Sequence, residues 1–301
     1  MTNQITHLIG VDGGGTGTRV AVADANGVEF ARGIAGPSGL INGADAAWVS
    51  ILNAINDAFA SVHLVRPDLS NVGIGLGLAG VHNKQWAAQF ADKNPGFGLF
   101  QLATDAYTTV MGAHQGKPGG IVAIGTGSVG EALLPDGNHL EVGGWGFPCG
   151  DEAGGAWIGM RAINHIQQVI DGRAEASAFS AAVIEHCGGH KDAVFNWLAN
   201  ANQGSYAQLA PIVIKFANQE KNAVVEQIMQ EAGREIAKIA LALDKTNSLP
   251  IALCGGLAKP LEKYLPADLL SRVVPPHGDS ASGALLLIKK IKEGTHVKSV
   301  N

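Results

Sequence analysis

Cysteine is scarce in this chain: Cys149, Cys187 and Cys254 are the only three in 301 residues, and they stand far apart. With no CxxC pair, neither a zinc ribbon nor a disulfide framework is expected. The ten histidines form no HExxH pair, which removes the common zinc-hydrolase signature. Basic blocks are missing as well, and the net charge is −5. A nucleic-acid partner calls for a basic face to neutralise phosphates, so none is expected. No apolar run reaches the roughly 18 residues of a membrane span. The N-terminus lacks a charged n-region followed by an apolar h-region, so the expected compartment is the cytoplasm.

What the chain does contain is apolar residues at 46%, enough for two cores, and glycine, at 41 residues. The glycines cluster between apolar stretches, where they mark turns and close backbone approaches. His7–Asp12 reads as a buried strand, Gly13–Gly17 as a turn, and Arg19–Ala23 and Val28–Ile34 as further strands joined by Asn26-Gly27. Ala44–Ser61 carries Trp48, Ile51, Leu52, Ile55 and Phe59 on one helical face. Val72–Leu78 reads as strand, Asn83–Ala91 as helix, Phe100–Thr104 as strand and Ala106–Ala113 as helix. This βββαβαβα order is the ribonuclease-H-like arrangement.

The pattern then restarts. Gly119–Gly125, Val129–Leu134 and Leu140–Gly143 read as strands, with a Gly/Thr turn after the first, as in the first half. Two copies of one unit in one chain indicate a duplicated fold. Helices are expected at Ala153–Ile170, Ala174–His186, Tyr206–Asn218, Asn222–Leu243 and Ser280–Lys292, with a short strand at Pro250–Cys254. The expected fold is therefore α/β, with duplicated ribonuclease-H-like domains and a cleft between them. The boundary is placed at Lys117-Pro-Gly-Gly120, giving domains 1–116 and 117–301, with the terminal helix 280–292 free to pack back on the first.

Five stretches carry candidate chemistry. In Asp12-Gly-Gly-Gly-Thr16, Gly13, Gly14 and Gly15 let backbone N–H groups form an anion nest, Thr16 can donate to a phosphate, and Asp12 can hold hydrated magnesium. Alone, this is equally a tight hairpin that needs glycine. Gly125-Thr126-Gly127-Ser128 occupies the equivalent turn of the second half, so the two turns would grip one polyphosphate from both sides. Cys254-Gly255-Gly256 lets a flat ring lie against the backbone, although it is also an ordinary strand–helix turn. Asp105, at a strand end, is either a helix N-cap or a base that accepts a hydroxyl proton. Gly143–Glu152 holds four glycines, Trp145 and the acids Asp151 and Glu152 ahead of a helix. It reads as a capped helix start or as a sugar-binding loop.

In this order, the motifs resemble the actin/hexokinase/heat-shock-70 ATPase superfamily. More narrowly, they resemble the N-acetylglucosamine kinase group of the BadF/BadG/BcrA/BcrD-type ATPases, most specifically through Gly144-Trp-Gly146 and Gly150-Asp-Glu152. The resemblance implies ATP and magnesium as cofactors, an ATP-dependent hexosamine kinase, and an amino sugar as partner, with a homodimer admitted. It implies Asp12 at the metal, Gly14, Thr16, Thr126 and Gly127 at the ATP phosphates, and Gly255 and Gly256 beside adenosine. Asp105 would be the base, and Gly144, Trp145 and Asp151 would lie at the sugar. The implied reaction is phosphorylation of N-acetylglucosamine to its 6-phosphate, with glucosamine as the alternative substrate. Two positions depart from the group: Val129 stands where a sugar-contacting asparagine is expected, and Ser38-Gly39 falls near a second one. An activator ATPase subunit would hold an iron–sulfur cluster through cysteines, which the spacing here does not suggest. A non-catalytic sugar-binding protein would share the motifs without turnover.

Overall fold

A computed structural model describes residues 4–219 and 222–294. The first half runs β1 (His7–Gly13), β2 (Thr18–Asp24), β3 (Glu29–Ala35), α1 (Ala44–Ser61), β4 (Val72–Leu78), α2 (Lys84–Asp92), β5 (Leu99–Thr104) and α3 (Asp105–Ala113). The second half begins with β6 (Gly119–Ile124), β7 (Ser128–Leu133), β8 (His139–Gly143) and α4 (Gly155–Ile170). Five helices follow: α5 (Ala178–His186), α6 (Lys191–Asn200), α7 (Gln203–Ala207), α8 (Ala210–Gln219) and α9 (Ala223–Leu243). The chain then forms β9 (Ile251–Cys254), α10 (Ala258–Glu262), α11 (Ala267–Leu270), β10 (Val273–Val274) and α12 (Ser280–Lys292).

The two five-stranded sheets run β3-β2-β1-β4-β5 and β10-β9-β6-β7-β8. Read from the third strand of each, both follow the order third, second, first, fourth, fifth, so the repeat seen in the motifs is a repeat of topology. The chain divides into two compact units. One holds the chain up to Gly119, Glu131–Leu140 and the chain from Pro275; the other holds Gly120–Gly130 and Glu141–Val274.

In the first sheet β1 pairs antiparallel with β2 and parallel with β4, and β4 pairs parallel with β5. The register places Gly13 opposite Leu78 and Leu78 opposite Thr104, so three carboxyl ends finish level. In open α/β sheets ligands collect at that edge. One face is closed by α1, whose Ile51, Ile55 and Phe59 join Ile74, Leu76 and Leu78 of β4 in the core. The other face accepts α12 at very short range. A Cβ on Gly10 would lie 2.1 Å from Ala281 O, and one on Gly75 would lie 2.2 Å from Ala284 O. The glycines that interrupt the apolar strands are therefore the seat of a helix.

Several boundaries differ from the sequence reading for local reasons. α4 starts at Gly155, two residues late, because Asp151 and Ala153 hold positive φ values of 62° and 67°. α5 starts at Ala178, where Ser177 and Ser180 form a capping box. The helix expected over Tyr206–Asn218 is two helices, the first capped by Asn202, with Pro211 in the opening turn of the second. α6, α10, α11 and β10 are additional elements that the sequence reading leaves out.

Candidate active site

The first unit carries two carboxylates at the sheet edge. Asp12 lies opposite Arg19 in the β1–β2 ladder, and Arg19 Nη1 donates to its Oδ2 at 3.2 Å. Burial raises the Asp12 pKa above the ordinary carboxylate value, against the pull of the Arg19 charge. Asp105 comes off the end of β5. The helix cap expected of it is made instead by Thr104, whose Oγ1 accepts from Tyr107 N at 3.1 Å. Asp105 becomes the first helical residue, and its Oδ1 accepts only from the neighbouring Ala106 N at 3.0 Å among its described hydrogen bonds. Burial raises its pKa, the Asp12 charge adds to that, and His82 opposes it.

The Gly13–Gly17 turn is pinned from behind. Gly14 N donates to Gly17 O at 3.0 Å, and Gly14 O accepts from Ser38 N at 3.2 Å and Gly39 N at 3.0 Å. A Cβ on Gly13 would strike Ser38 Oγ at 2.2 Å, whereas one on Gly14 or Gly15 would meet nothing within 4 Å. Thr16 is exposed at the tip.

The second unit repeats this division of labour. Gly125 N donates to Gly127 O at 2.9 Å. The first turn of α4 holds the same loop, with Gly155 N donating to Gly125 O at 2.8 Å and Ala156 N to Thr126 O at 2.9 Å. Ser128 Oγ donates to Glu152 O at 2.5 Å. A Cβ on Gly127 would lie 2.1 Å from Asp151 Oδ2, while the space beside Gly125 is open. At the end of β9, Gly255 has φ 89° and sits 2.3 Å, by its Cβ position, from Ile124 O, and the space beside Gly256 is open. The loop after β9 thus abuts the strand that leads into Gly125. Each of the three motifs has one glycine required by packing and at least one with free space at its backbone, as a cradle for a phosphate or a flat ring requires.

Asp151 is not a helix cap, since α4 is capped by Gly154. Its Oδ1 accepts from Gly146 N and its Oδ2 from Gln203 Nε2, each at 3.0 Å. Burial raises its pKa, and the hydrogen bond from Gly146 offsets part of that. Gly143, Gly144 and Gly146 all have positive φ, and Trp145 between them is 87% exposed. Val129 lies beside Gly144, 3.1 Å from the position of a Cβ there.

Residues 9–287 match the BadF/BadG/BcrA/BcrD ATPase family. The chain belongs to that family. Membership implies ATP as the nucleotide, and the open glycines fit one. A glucosamine kinase of Vibrio cholerae is 30% identical over 95% of this chain and 97% of its own length. The N-acetyl-D-glucosamine kinase of Dictyostelium discoideum is 27% identical, covering 89% of both chains. A solved structure from Chromobacterium violaceum, provisionally named an N-acetylglucosamine kinase, superposes with a TM-score of 0.91 at 47% identity. That match covers 94% of this chain and 99% of the other.

Within the first unit the fold brings together Asp12, Gly13–Thr16 and Asp105; within the second it brings together Gly125–Ser128, Gly255 and Gly256, and sets Asp151 against Gly127. Trp145 is exposed. Sequence reasoning missed Arg19, His82 and Gln203. Arg19 was legible as the residue facing Asp12 across a hairpin. Nothing in the sequence singles out Gln203. Among the described residues, no helix is long and apolar enough to cross a membrane.

Proposed function

We propose that this family member is an ATP-dependent kinase of amino sugars, with N-acetylglucosamine as its substrate and the 6-hydroxyl as acceptor. The observation that carries the reading is Asp105: a half-buried carboxylate at a sheet edge, relieved of capping by Thr104. A base of that kind orients the sugar hydroxyl and takes its proton as the phosphoryl group is transferred. A raised pKa brings the carboxylate closer to the operating pH, where a general base works best. Bound ATP with magnesium would supply the electrophilic phosphoryl group. Asp12 would hold the metal through water. The backbones of Gly14–Thr16 and Gly125–Ser128 would orient the phosphates, Gly255 and Gly256 would flank adenosine, and Gly144, Trp145 and Asp151 would receive the sugar.

The choice of the N-acetyl sugar rests on Val129. Its side chain neither donates nor accepts, and it can pack against an acetyl methyl, worth on the order of 1 kcal/mol. An ammonium at carbon 2 gains nothing there. The identity to the Vibrio cholerae enzyme favours glucosamine as the second reading. ADP release measured with glucose, glucosamine, N-acetylglucosamine and N-acetylmannosamine decides between them. A tenfold preference for glucosamine, about 1.4 kcal/mol, overturns the N-acetyl assignment, and no turnover with any of these sugars overturns the kinase.

A further inference from the structure

Asp151 has an anchor outside its own loop. Its Oδ1 is held from within, by Gly146 N at 3.0 Å, and Gly150 N closes the same loop onto Gly146 O at 2.8 Å. Its Oδ2 is held from a different element, by Gln203 Nε2 at 3.0 Å. The two donors engage different oxygens, so together they fix the rotation of the carboxylate. An ionised carboxylate only accepts, so the amide nitrogen of Gln203, and not its oxygen, must face it. Each carboxylate oxygen keeps a further lone pair, open to a ligand hydroxyl.

Gln203 is the first residue of α7, and α7 is a fixed mount. Asn202 and Ser205 cap it reciprocally: Asn202 Oδ1 accepts from Ser205 N at 3.1 Å, and Ser205 Oγ accepts from Asn202 N at 3.2 Å. The helix lies hard against α4, since a Cβ on Gly159 would lie 1.9 Å from Tyr206 O. Three residues after Gln203, on the same helical face, Tyr206 meets Phe147 of the loop with ring centroids 5.2 Å apart. Trp197 of α6 stands edge-on to Tyr206 at 5.2 Å. α7 therefore touches the loop at two points, an aromatic one at Phe147 and a polar one at Asp151.

The loop needs such a mount. Asp151 and Ala153 hold φ values of 62° and 67°, a conformation that residues other than glycine keep only where their surroundings impose it. The oxygen that Gln203 engages is also the one 2.1 Å from the position of a Cβ on Gly127. Losing the Gln203 bond thus frees the carboxylate on the side of the phosphate turn.

We infer that Gln203 is a positioning residue for the acceptor: mounted on α7, it holds the Asp151 carboxylate in the orientation that accepts hydrogen bonds from the sugar. This rests on the kinase reading above. Gln203 acts on the sugar through Asp151 alone.

The test is calorimetric titration of the whole protein with N-acetylglucosamine, with glucosamine and, separately, with ADP and magnesium, alongside melting temperature. Gln203→Ala is expected to weaken sugar binding about tenfold, the scale of one lost hydrogen bond to a charged group. ADP affinity should change by a smaller factor, and the melting temperature should hold. Placed in Asp151→Ala, the same substitution should cost nothing more, because its partner is gone. The isosteric Gln203→Glu sets one carboxylate against another and should weaken the sugar at about pH 8. As the pH falls towards about 5, the pair takes up a shared proton, which restores a donor. The ratio of the variant's sugar Kd to that of the wild type should therefore fall with pH. Glu152, the other acid acting on Asp151, is present in both proteins and cancels from that ratio. An unchanged sugar affinity in Gln203→Ala, a full further loss in the double variant, or a ratio that stays flat with pH overturns the inference. So does a joint loss of sugar affinity, ADP affinity and melting temperature in Gln203→Ala. A wild-type protein that binds the sugar without phosphorylating it defeats the kinase reading alone, because the affinities still decide the role of Gln203. One that binds no amino sugar overturns both.

Discussion

Asp105 occupies the first position of a regular helix, behind a strand whose register ties it to β4 and, through β4, to β1. Asp151 sits in a left-handed backbone conformation, in a loop whose glycines also have positive φ. Both are acids just ahead of a helix, and neither caps it, because Thr104 and Gly154 do. Their freedom differs. The one described hydrogen bond to the Asp105 carboxylate comes from its own neighbour, whereas both oxygens of Asp151 are engaged. A carboxylate with spare acceptor capacity suits proton transfer; one with both oxygens committed suits holding a loop in shape.

The largest expected effect lies with Asp105. Asp105→Asn should lower kcat by about 10²–10⁴-fold, the usual worth of general-base assistance, while ADP affinity and melting temperature hold. A base must be ionised to act, and burial raises this pKa. The acid limb of the wild-type pH–rate profile should therefore lie above the ordinary carboxylate value, with activity lost as pH falls through it. The Asn variant should lack that limb. Near-full activity in Asp105→Asn would dissolve the distinction between the two aspartates.

Next comes Asp151→Ala, which releases Gly146 N and Gln203 together. The sugar KM should rise about ten- to hundredfold, as expected for lost hydrogen bonds to a charged group. Nucleotide affinity should weaken by a smaller factor. Equal losses for both ligands would mean that Asp151 serves the phosphate turn first.

The glycines sharpen the contrast further. Gly127→Ala must displace Asp151 and should destabilise the protein by about 1–3 kcal/mol, read as a lower melting temperature. Gly14→Ala meets open space and should melt like the wild type while binding ADP more weakly. The smallest effect is expected at Trp145. With the indole 87% exposed, Trp145→Ala should change stability by no more than about 0.5 kcal/mol, measured by denaturant titration. Any consequence should be confined to the sugar KM.

The regular parts of the molecule were legible for a physical reason. Strand alternation, the helical face of Ala44–Ser61 and the glycine turns are set by neighbours within a few residues, and both sheets follow from them. The glycines of β1 and β4 were harder to interpret. Gly10 and Gly75 look like flaws in apolar strands until α12, more than 200 residues later, is seen resting on them. Asp105 could not be separated from a cap by sequence because Thr104 and Asp105 are both good capping types. Gln203 reaches Asp151 across 52 residues, and no local pattern encodes such a contact.

The contact between Gly127 and Asp151 bears on any attempt to redesign this protein. The turn proposed for phosphate and the residue proposed for sugar share a wall in which the position of a Cβ on one lies 2.1 Å from a carboxylate oxygen of the other. Acceptor preference is therefore not an independent dial. A library that varies position 151 to change the sugar also varies the footing of the nucleotide turn, and selection on a new sugar alone would accumulate variants that need more ATP. Changes at 151 therefore need to be paired with changes at Gln203, which donates to the same Oδ2 that lies against Gly127.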